Sequence, residues 1–242
     1  MAFNLVNRSR LRRVILRSYT LSKLTGIRYN GLSKIDRRIE KYLNYKDGFF
    51  VELGANDGFA QSNSLYFERY KNWSGILIEP NYENYIKCVA NRSARNTFIQ
   101  AACVSTSYTK NKVSLTFANL MTVMRQGSTD NPNIDLHLLN AEKFLNGQEI
   151  YEFEAPAKTL QSILEESNAP NLIDLLSLDV EGAEMEVLKG INHEEYRFKL
   201  ICVEARSFDE MNDFLELQNY QFLEQISSHD FLFGNDEWLH QG

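Results

Sequence analysis

Cysteine is scarce in this sequence. The three cysteines, Cys88, Cys103 and Cys202, each stand alone in apolar surroundings. An odd number at such spacing argues against disulfides and against a zinc site, and it favours packed, reduced thiols. The sequence also has no run of 18 uncharged apolar residues, so no membrane span is expected. Five arginines among residues 8–17 interrupt the apolar core that a secretory signal needs. We therefore predict a cytoplasmic protein.

A linker rich in proline, glycine and serine is also missing from the 242 residues. A chain of this length suits one sizeable α/β domain. Its apolar content of 43% and charged content of 24% are those of an ordinary globular protein. The predicted organisation is a basic N-terminal arm at residues 1–31, followed by one domain at residues 32–242.

Acidic residues are rare in the N-terminal part of the chain. Residues 1–46 contain 12 Lys/Arg and two acidic residues, a net charge of +10 that leaves −16 for the rest. Apolar residues between the arginines, among them Leu11 and Ile15, are compatible with a short basic amphipathic helix. Such a helix could contact the anionic inner face of a membrane, an acidic carrier lipid or nucleic acid. We favour the simpler interpretation of a solvated arm, and without a nucleic-acid motif we expect no nucleic-acid partner.

The most informative stretch is Phe49–Gly58. Its apolar residues predict a buried parallel strand that carries Glu52 near its end and enters a tight turn between Gly54 and Gly58. Open α/β sheets bind ligands at this carboxyl edge. The stretch differs from the dinucleotide fingerprint, because Asn56 stands where a second glycine would let a pyrophosphate approach. An acidic residue at position 52 also suits a ligand with a positive amino group, which favours S-adenosylmethionine over NAD.

Two further strands extend this predicted ligand site. Gly75–Pro80 predicts a second buried strand, and Glu79 near its end could accept hydrogen bonds from both hydroxyls of a ribose. A surface position at the end of the strand is the alternative interpretation of Glu79. Thr97–Val104 predicts a third strand, where the small residues Ala101 and Ala102 could line a flat apolar slot for adenine.

Acidic residues also follow the predicted fourth and fifth strands. Ile173–Leu178 leads to Asp179 and Glu181, and Leu200–Val203 leads to Glu204. Because these strand ends should share one edge of the sheet, we expect the three carboxylates to converge beside the ligand. Carboxylates that lie close together repel one another, so they would either share protons at raised pKa values or hold a cation.

Helical patterns alternate with these strands. The predicted helices are 33–45, 82–91, 183–189 and 209–219, with another that follows the capping residues 61–64 and ends at about 71. The runs 221–226 and 230–233 predict a terminal hairpin. This order predicts an α/β fold with a seven-stranded, mostly parallel sheet, one antiparallel strand and helices on both faces. The polar region 105–150, which includes the alternating run Val113–Phe117, is predicted to form a substrate lid or insertion.

Four segments resemble the FkbM family of methyltransferases in order and spacing. They are Phe50–Gly58, Gln61–Ser64, Trp73–Pro80 and Ile173–Glu184. The resemblance covers roughly residues 46–234, and the pairs Thr159-Leu160 and His229-Asp230 also look similar to the family. It implies a Rossmann-like class I methyltransferase fold and S-adenosylmethionine-dependent O-methylation of a hydroxyl, often on a sugar or polyketide. The arm and the region 105–150 match poorly, and these are the parts expected to choose the acceptor, a small molecule or glycan.

Site residues follow from the motifs and the resemblance together. The predicted cofactor-binding residues are Glu52, Gly54, Asn56, Gly58, Asn63, Glu79, Pro80, Ala101, Ala102 and Asp179. A sugar hydroxyl is a very weak acid that needs a base or a metal, so Asp179, Glu181 and His229 are the predicted catalytic residues. Asp179, Glu181 and Glu204 offer oxygen ligands for a hard metal such as Mg²⁺. The alternatives are a cap on the next helix for Asp179 and Glu181, and a hairpin hydrogen bond for His229.

Two other functional classes stay open from the sequence. One is an NAD-dependent Rossmann oxidoreductase, against which the missing second glycine counts. The other is a non-catalytic binding module that kept the methyltransferase fold, against which the intact acidic and glycine positions count. The acceptor, the metal requirement and the oligomeric state are not determined by these patterns.

Overall fold

The computed structural model describes residues 28–117, 123–124 and 150–240, and its strands form two sheets. In chain order the strands are β1 (Phe49–Leu53), β2 (Ser74–Ile78), β3 (Thr97–Ile99), β4 (Ala102–Cys103), β5 (Lys112–Phe117), β6 (Val123–Met124), β7 (Tyr151–Lys158), β8 (Leu172–Leu178), β9 (Arg197–Glu204), β10 (Tyr220–Gln225) and β11 (Asp230–Asn235). The larger sheet has the order β10-β11-β9-β8-β1-β2-β3, and the smaller one has the order β4-β7-β5-β6.

The larger sheet is parallel except at one strand. β1 lies between β2 and β8 and pairs in parallel with both, and β3 and β9 continue the parallel pairing outward. β11 is antiparallel to its neighbours β9 and β10. This topology confirms the predicted seven-stranded, mostly parallel sheet. It also places the carboxyl ends of β1, β2, β8 and β9 along one edge.

Helices precede, connect and follow the strands of the larger sheet. They are a 3₁₀ turn (Leu32–Lys34), α1 (Ile35–Glu40), α2 (Leu65–Lys71), α3 (Tyr82–Asn91), α4 (Leu160–Glu166), α5 (Glu184–Leu188), α6 (Phe208–Leu217) and α7 (Asp236–Leu239). Side-chain caps set several of the starts. The Asn81 side chain accepts from two amides of the first turn of α3, and Thr159 accepts from the amide of Ser162 in α4.

Side chains of the parallel strands alternate between two hydrophobic cores. In β1, Val51 and Leu53 join the core that α4, α5 and α6 cover, while Phe50 joins the core that α1, α2 and α3 cover. Helices therefore lie on both faces of the sheet, as predicted. Glu52 lies two residues after Phe50 in the strand and faces the same side, so its carboxylate is buried on the α1–α3 face. The three cysteines are buried and free, also as predicted.

The predicted third strand was wrong as a single element. Residues 97–99 pair with β2, but the chain then leaves that sheet, and Ala102 and Cys103 pair with β7 in the smaller sheet. A continuous apolar run does not reveal this change of partner. The partner itself, β7, was not predicted, although its apolar residues Tyr151, Phe153, Ala155 and Ala157 alternate with other residues. Pro156 is the one local feature that counts against a strand in this stretch.

One predicted helix is shorter than expected. The predicted helix 33–45 is reduced to α1, because Ser33 and Lys34 have positive φ angles of 51° and 61° and the helix ends at Glu40. The helix after the glycine turn, Leu65–Lys71, follows residues 61–64 and ends at residue 71, as predicted. The serines before it donate their hydroxyls to the buried Glu52 carboxylate, which holds this segment in an irregular conformation.

Parts of the predicted organisation lie outside the described residues. They are residues 1–27 of the basic arm and most of the predicted lid, residues 118–122 and 125–149. The arm and lid therefore stay predictions. Among the described helices, none combines the length and the apolar character that crossing a membrane requires.

Candidate active site

A cavity of about 730 Å³ opens at the carboxyl edge of the larger sheet. Its walls come from the ends of β1, β2, β8 and β9, from Leu32 in the 3₁₀ turn and Ile35 at the start of α1, and from the β10–β11 hairpin. The predicted site residues that line it are Glu52, Gly54, Asn56, Asn63, Glu79, Pro80, Ala101, Ala102, Asp179, Glu181, Glu204 and His229. The fold thus brings residues from both halves of the chain to one place.

The turn after β1 requires glycine at two positions. Gly54 has a φ of +74°, and a Cβ there would lie 1.8 Å from the main-chain oxygen of Asp179. Gly58 also has a φ of +74°, and a Cβ there would lie 2.8 Å from Cys88 Sγ in α3. Gly54 therefore lets the end of β1 approach the end of β8, whereas Gly58 lets the turn pack on α3 and does not line the cavity.

Glu52 is a buried carboxylate surrounded by donors. It accepts hydrogen bonds from Ser62 Oγ at 3.0 Å, from the amide of Asn63 at 3.0 Å and from Ser64 Oγ at 2.5 Å. Arg92 Nη1 lies 3.1 Å from its second oxygen, and neither side chain of this ion pair is more than 5% exposed. Donors from the protein therefore already engage the Glu52 carboxylate. The predicted contact between Glu52 and a ligand stays a prediction.

Glu79 is held by the main chain at the end of β2. The amides of Asn56 and Asn81 each donate to one of its two carboxylate oxygens at 2.8 Å. Burial raises the pKa of Glu79 to about 7, against the lowering effect of these two hydrogen bonds. Both oxygens keep a free lone pair for a ligand in the cavity. The carboxylate is therefore oriented in advance, as pairing with a ribose would require.

Three carboxylates meet on the opposite side of the cavity. Asp179, Glu181 and Glu204 each offer an oxygen, and these oxygens all lie within 4.8 Å of one another. Asp179 is exposed at the cavity, yet desolvation by the surrounding protein, followed by repulsion from Glu204 and Glu181, raises its pKa well above the ordinary value. Burial and the neighbouring carboxylates raise the pKa of Glu181 to about 9, although Arg206 lies 3.7 Å away. The structure thus brings together the three acidic residues that the strand ends predicted.

A fourth acidic residue stabilises the turn that follows β8 and carries Asp179 and Glu181. Glu184, at the start of α5, accepts hydrogen bonds from the amides of Val180 and Gly182 at 2.9 and 3.0 Å. Burial raises its pKa to about 7. Capping of the next helix was the alternative role considered for Asp179 and Glu181, but α5 begins after Ala183 without a side-chain cap. The two preceding acidic residues are left facing the cavity.

His229 reaches the same cavity from the β10–β11 hairpin. Its amide donates to Ser227 Oγ at 3.1 Å, and its carbonyl accepts from the amide of Ala205 at 2.7 Å. The bond from Ala205 ties the hairpin to the end of β9, and His229 itself is exposed. Its predicted catalytic role stays a prediction.

Sequence reasoning missed several residues of the site. Ser177 lines the cavity and accepts from Asn63 Nδ2 at 3.1 Å, and Arg206 and Asp230 also line the cavity. Arg92 forms an ion pair with Glu52, which lines the cavity. Arg206 follows a strand-end acid by two residues, which is a usable signal. For Arg92 no signal exists, because an arginine after an amphipathic helix ordinarily lies in solvent.

A mostly parallel seven-stranded sheet of this order, with its ligand cavity at the carboxyl edge, is the architecture of Rossmann-like class I methyltransferases. Residues 52–222 match the sequence profile of the methyltransferase FkbM domain. That match covers well over half of the chain, so the chain belongs to the FkbM methyltransferase family. Membership confirms the family resemblance, implies S-adenosylmethionine as methyl donor and decides against the NAD-dependent oxidoreductase.

Two solved structures resemble the fold at low sequence identity. The METTL16 methyltransferase domain is 9% identical with a TM-score of 0.43, and the match covers 84% of this chain and 66% of that chain, just under two thirds. Precorrin-6y C5,15-methyltransferase from Geobacter metallireducens is 12% identical with a TM-score of 0.38, over 83% of this chain and 87% of that chain. No curated protein matches the sequence. These likenesses are too distant to inform the site, which rests on the family and the geometry.

Proposed function

We propose that this protein is an S-adenosylmethionine-dependent O-methyltransferase that acts on a hydroxyl of a sugar, a glycan or a related small molecule. The observation that carries the proposal is the cluster of Asp179, Glu181 and Glu204, whose oxygens lie within 4.8 Å of one another in the cavity. A sugar hydroxyl becomes a good nucleophile only when a base or a metal assists the loss of its proton. The cluster can provide either kind of assistance.

The other side of the cavity fits the cofactor. A volume of about 730 Å³ lies within the range of small-molecule sites. The oriented carboxylate of Glu79 suits a pair of ribose hydroxyls, and the small side chains of Ala101 and Ala102 leave room for a flat ring. When bound, S-adenosylmethionine supplies a methyl group on a positively charged sulfur. The residues around Glu79 would hold the donor while the acidic cluster faces the acceptor.

The acidic cluster would take up the acceptor's proton. The hydroxyl oxygen would bond to the methyl carbon while the methyl–sulfur bond breaks and its electron pair stays on sulfur, which leaves S-adenosylhomocysteine. The hydroxyl proton would pass to a carboxylate oxygen, and we assign this role to Asp179. Desolvation and neighbouring carboxylates raise the pKa of Asp179, which makes its ionised form a stronger base than a surface aspartate. His229, at the cavity wall, is the second candidate to hold the proton.

A hard cation is the alternative way to relieve the repulsion within the cluster. Three carboxylate oxygens at this spacing match the ligand preference of Mg²⁺, and a bound cation would acidify an acceptor hydroxyl. The two versions separate on treatment with EDTA. Only the metal version should lose turnover on chelation and regain it on addition of Mg²⁺.

The test is a methyl-transfer assay with S-adenosylmethionine and a panel of sugars, nucleotide sugars and glycans. We expect S-adenosylhomocysteine to form with a hydroxyl-bearing acceptor, and mass spectrometry to locate the new methyl group on oxygen. Methylation of nitrogen, carbon or sulfur in the true acceptor would contradict the proposal. Tight binding of S-adenosylmethionine without turnover on any acceptor would favour the non-catalytic binding module.

A further inference from the structure

A fully buried arginine contacts residues that line the cavity. Arg92 follows α3, and its side chain has no exposed area. Its guanidinium donates to Glu68 Oε2 at 2.8 Å, to Glu52 Oε2, Ser62 Oγ and the carbonyl of Gly58 at 3.1, 3.1 and 3.4 Å, and to Ser64 Oγ at 2.8 Å. All three of its nitrogens thus have acceptors. A charge buried this deeply persists only when it is paired and hydrogen-bonded in this way.

The same hydroxyl groups connect Arg92 to Glu52. Ser62 and Ser64 accept from the guanidinium of Arg92 and donate to the carboxylate of Glu52. The amide of Asn63 also donates to Glu52, at 3.0 Å. Residues 62–64 are therefore fixed between one buried cation and one buried anion. We call this group, Arg92, Glu52, Ser62 and Ser64, the buried ionic hub.

The segment fixed by the buried ionic hub is a wall of the cavity. Glu52, Ser62 and Asn63 all line the cavity, and Asn63 is tied on its other side to Ser177 at the end of β8. Arg92 also contacts the carbonyl of Gly58, at the far end of the glycine turn. The hub thus connects two parts of the wall, the turn after β1 and the segment before α2.

We infer that Arg92 is a positioning residue for S-adenosylmethionine binding. It acts through Glu52 and the two serines, which set the positions of Asn63 and the glycine turn. Glu52 serves in this arrangement mainly to hold the wall, since serine, amide and guanidinium donors already occupy its carboxylate. The inference rests on the proposed function only in placing S-adenosylmethionine in this cavity, and it does not depend on the acceptor.

Variants of the hub separate positioning from stability. Arg92→Met leaves the carboxylates of Glu52 and Glu68 buried without their shared cation, so the melting temperature should fall and S-adenosylmethionine should bind at least tenfold more weakly. The double variant Glu52→Gln with Arg92→Met removes both charges of the Glu52–Arg92 pair and leaves Glu68 without its cation. It should recover part of the melting temperature, yet its binding should stay at least tenfold weaker, because the hydrogen bonds that fix the wall are still missing. Arg95→Met, at an exposed arginine three residues away, is the matched control.

Dissociation constants for S-adenosylmethionine, measured by calorimetry well below each melting temperature, decide the result. A constant within twofold of wild type in folded Arg92→Met, or in the double variant, would overturn the inference. If Arg92→Met does not fold, Arg92→Lys takes its place, since an ammonium group keeps the charge but cannot reach all of these acceptors. Wild-type protein that fails to bind S-adenosylmethionine would contradict the proposed function, whereas tight binding retained by the variants contradicts only the positioning role.

Discussion

Two groups of carboxylates line one cavity, and they are held in different ways. On the β1–β2 side, Glu52 and Glu79 accept hydrogen bonds from serines, an arginine and main-chain amides. On the β8–β9 side, Asp179, Glu181 and Glu204 face one another within 4.8 Å. The first group has its orientation set by the protein. The second group has its protonation set by mutual repulsion.

This difference gives the two sides of the cavity different roles in the proposed reaction. A carboxylate fixed by main-chain donors costs little to hold in place and can orient a ligand. A carboxylate whose pKa is raised by burial and like charge can exchange protons near neutral or mildly alkaline pH. The cavity therefore separates donor binding from proton transfer, and the following predictions test that separation.

The largest effect is expected at Asp179. Asp179→Asn keeps the shape of the side chain and removes its charge, so turnover should fall roughly a hundredfold or more. Binding of S-adenosylmethionine, measured by calorimetry, should change little. Asp213→Asn, at an exposed position in α6, is the matched control. Normal turnover of Asp179→Asn on the true acceptor would show that this carboxylate is structural.

Glu79 should produce the opposite pattern. Glu79→Ala removes hydrogen bonds to the ribose, which should weaken S-adenosylmethionine binding by about 2 kcal/mol, roughly thirtyfold. Because burial raises the pKa of Glu79 to about 7, wild-type affinity should also decline as the pH falls below about 7. The exposed neighbour Glu83 supplies a control, Glu83→Ala. Unchanged affinity in Glu79→Ala would remove the ribose assignment.

The pH dependence of stability should report the acidic cluster. Burial and like charge raise the pKa of Glu181 to about 9 in the folded protein, above its unfolded value near 4.5, so the native state binds more protons between these values. The free energy of unfolding should therefore decrease as the pH rises from about 5 to 9. Glu181→Gln should reduce this decrease. Thermal denaturation of both proteins at pH 5, 7 and 9 measures this pH dependence. An equal decrease in wild type and Glu181→Gln would show that another group titrates over this range.

The smallest effect on the cavity is expected from the basic arm. If the arm binds anionic lipid, deletion of residues 1–20 should abolish binding to anionic vesicles at low salt and leave S-adenosylmethionine affinity within twofold. Co-sedimentation of full-length and shortened protein measures the first, and calorimetry the second. If the full-length protein does not bind anionic vesicles at low salt, the solvated arm is the remaining interpretation.

The sequence alone predicted the sheet and much of its functional edge. Apolar runs that end in acidic residues or glycine mark buried parallel strands, and this local pattern located β1, β2, β8 and β9. Since parallel strands share a carboxyl edge, the pattern also indicated that Glu79, Asp179 and Glu204 would approach one cavity. These features depend on neighbouring residues in the chain, so a single sequence reveals them.

Only the tertiary structure decided which acidic residues are surrounded by hydrogen-bond donors and which lie beside other carboxylates. Glu52 and Asp179 look equivalent in sequence, as acids at strand ends. Arg92, 40 residues away from Glu52, neutralises one of them, whereas strand pairing places Glu204 beside the other. The change of sheet after β3 was hidden for the same reason. Hydrogen-bond partners and charges that act across the fold are set by which strands and helices pack together, and a local pattern does not contain that information.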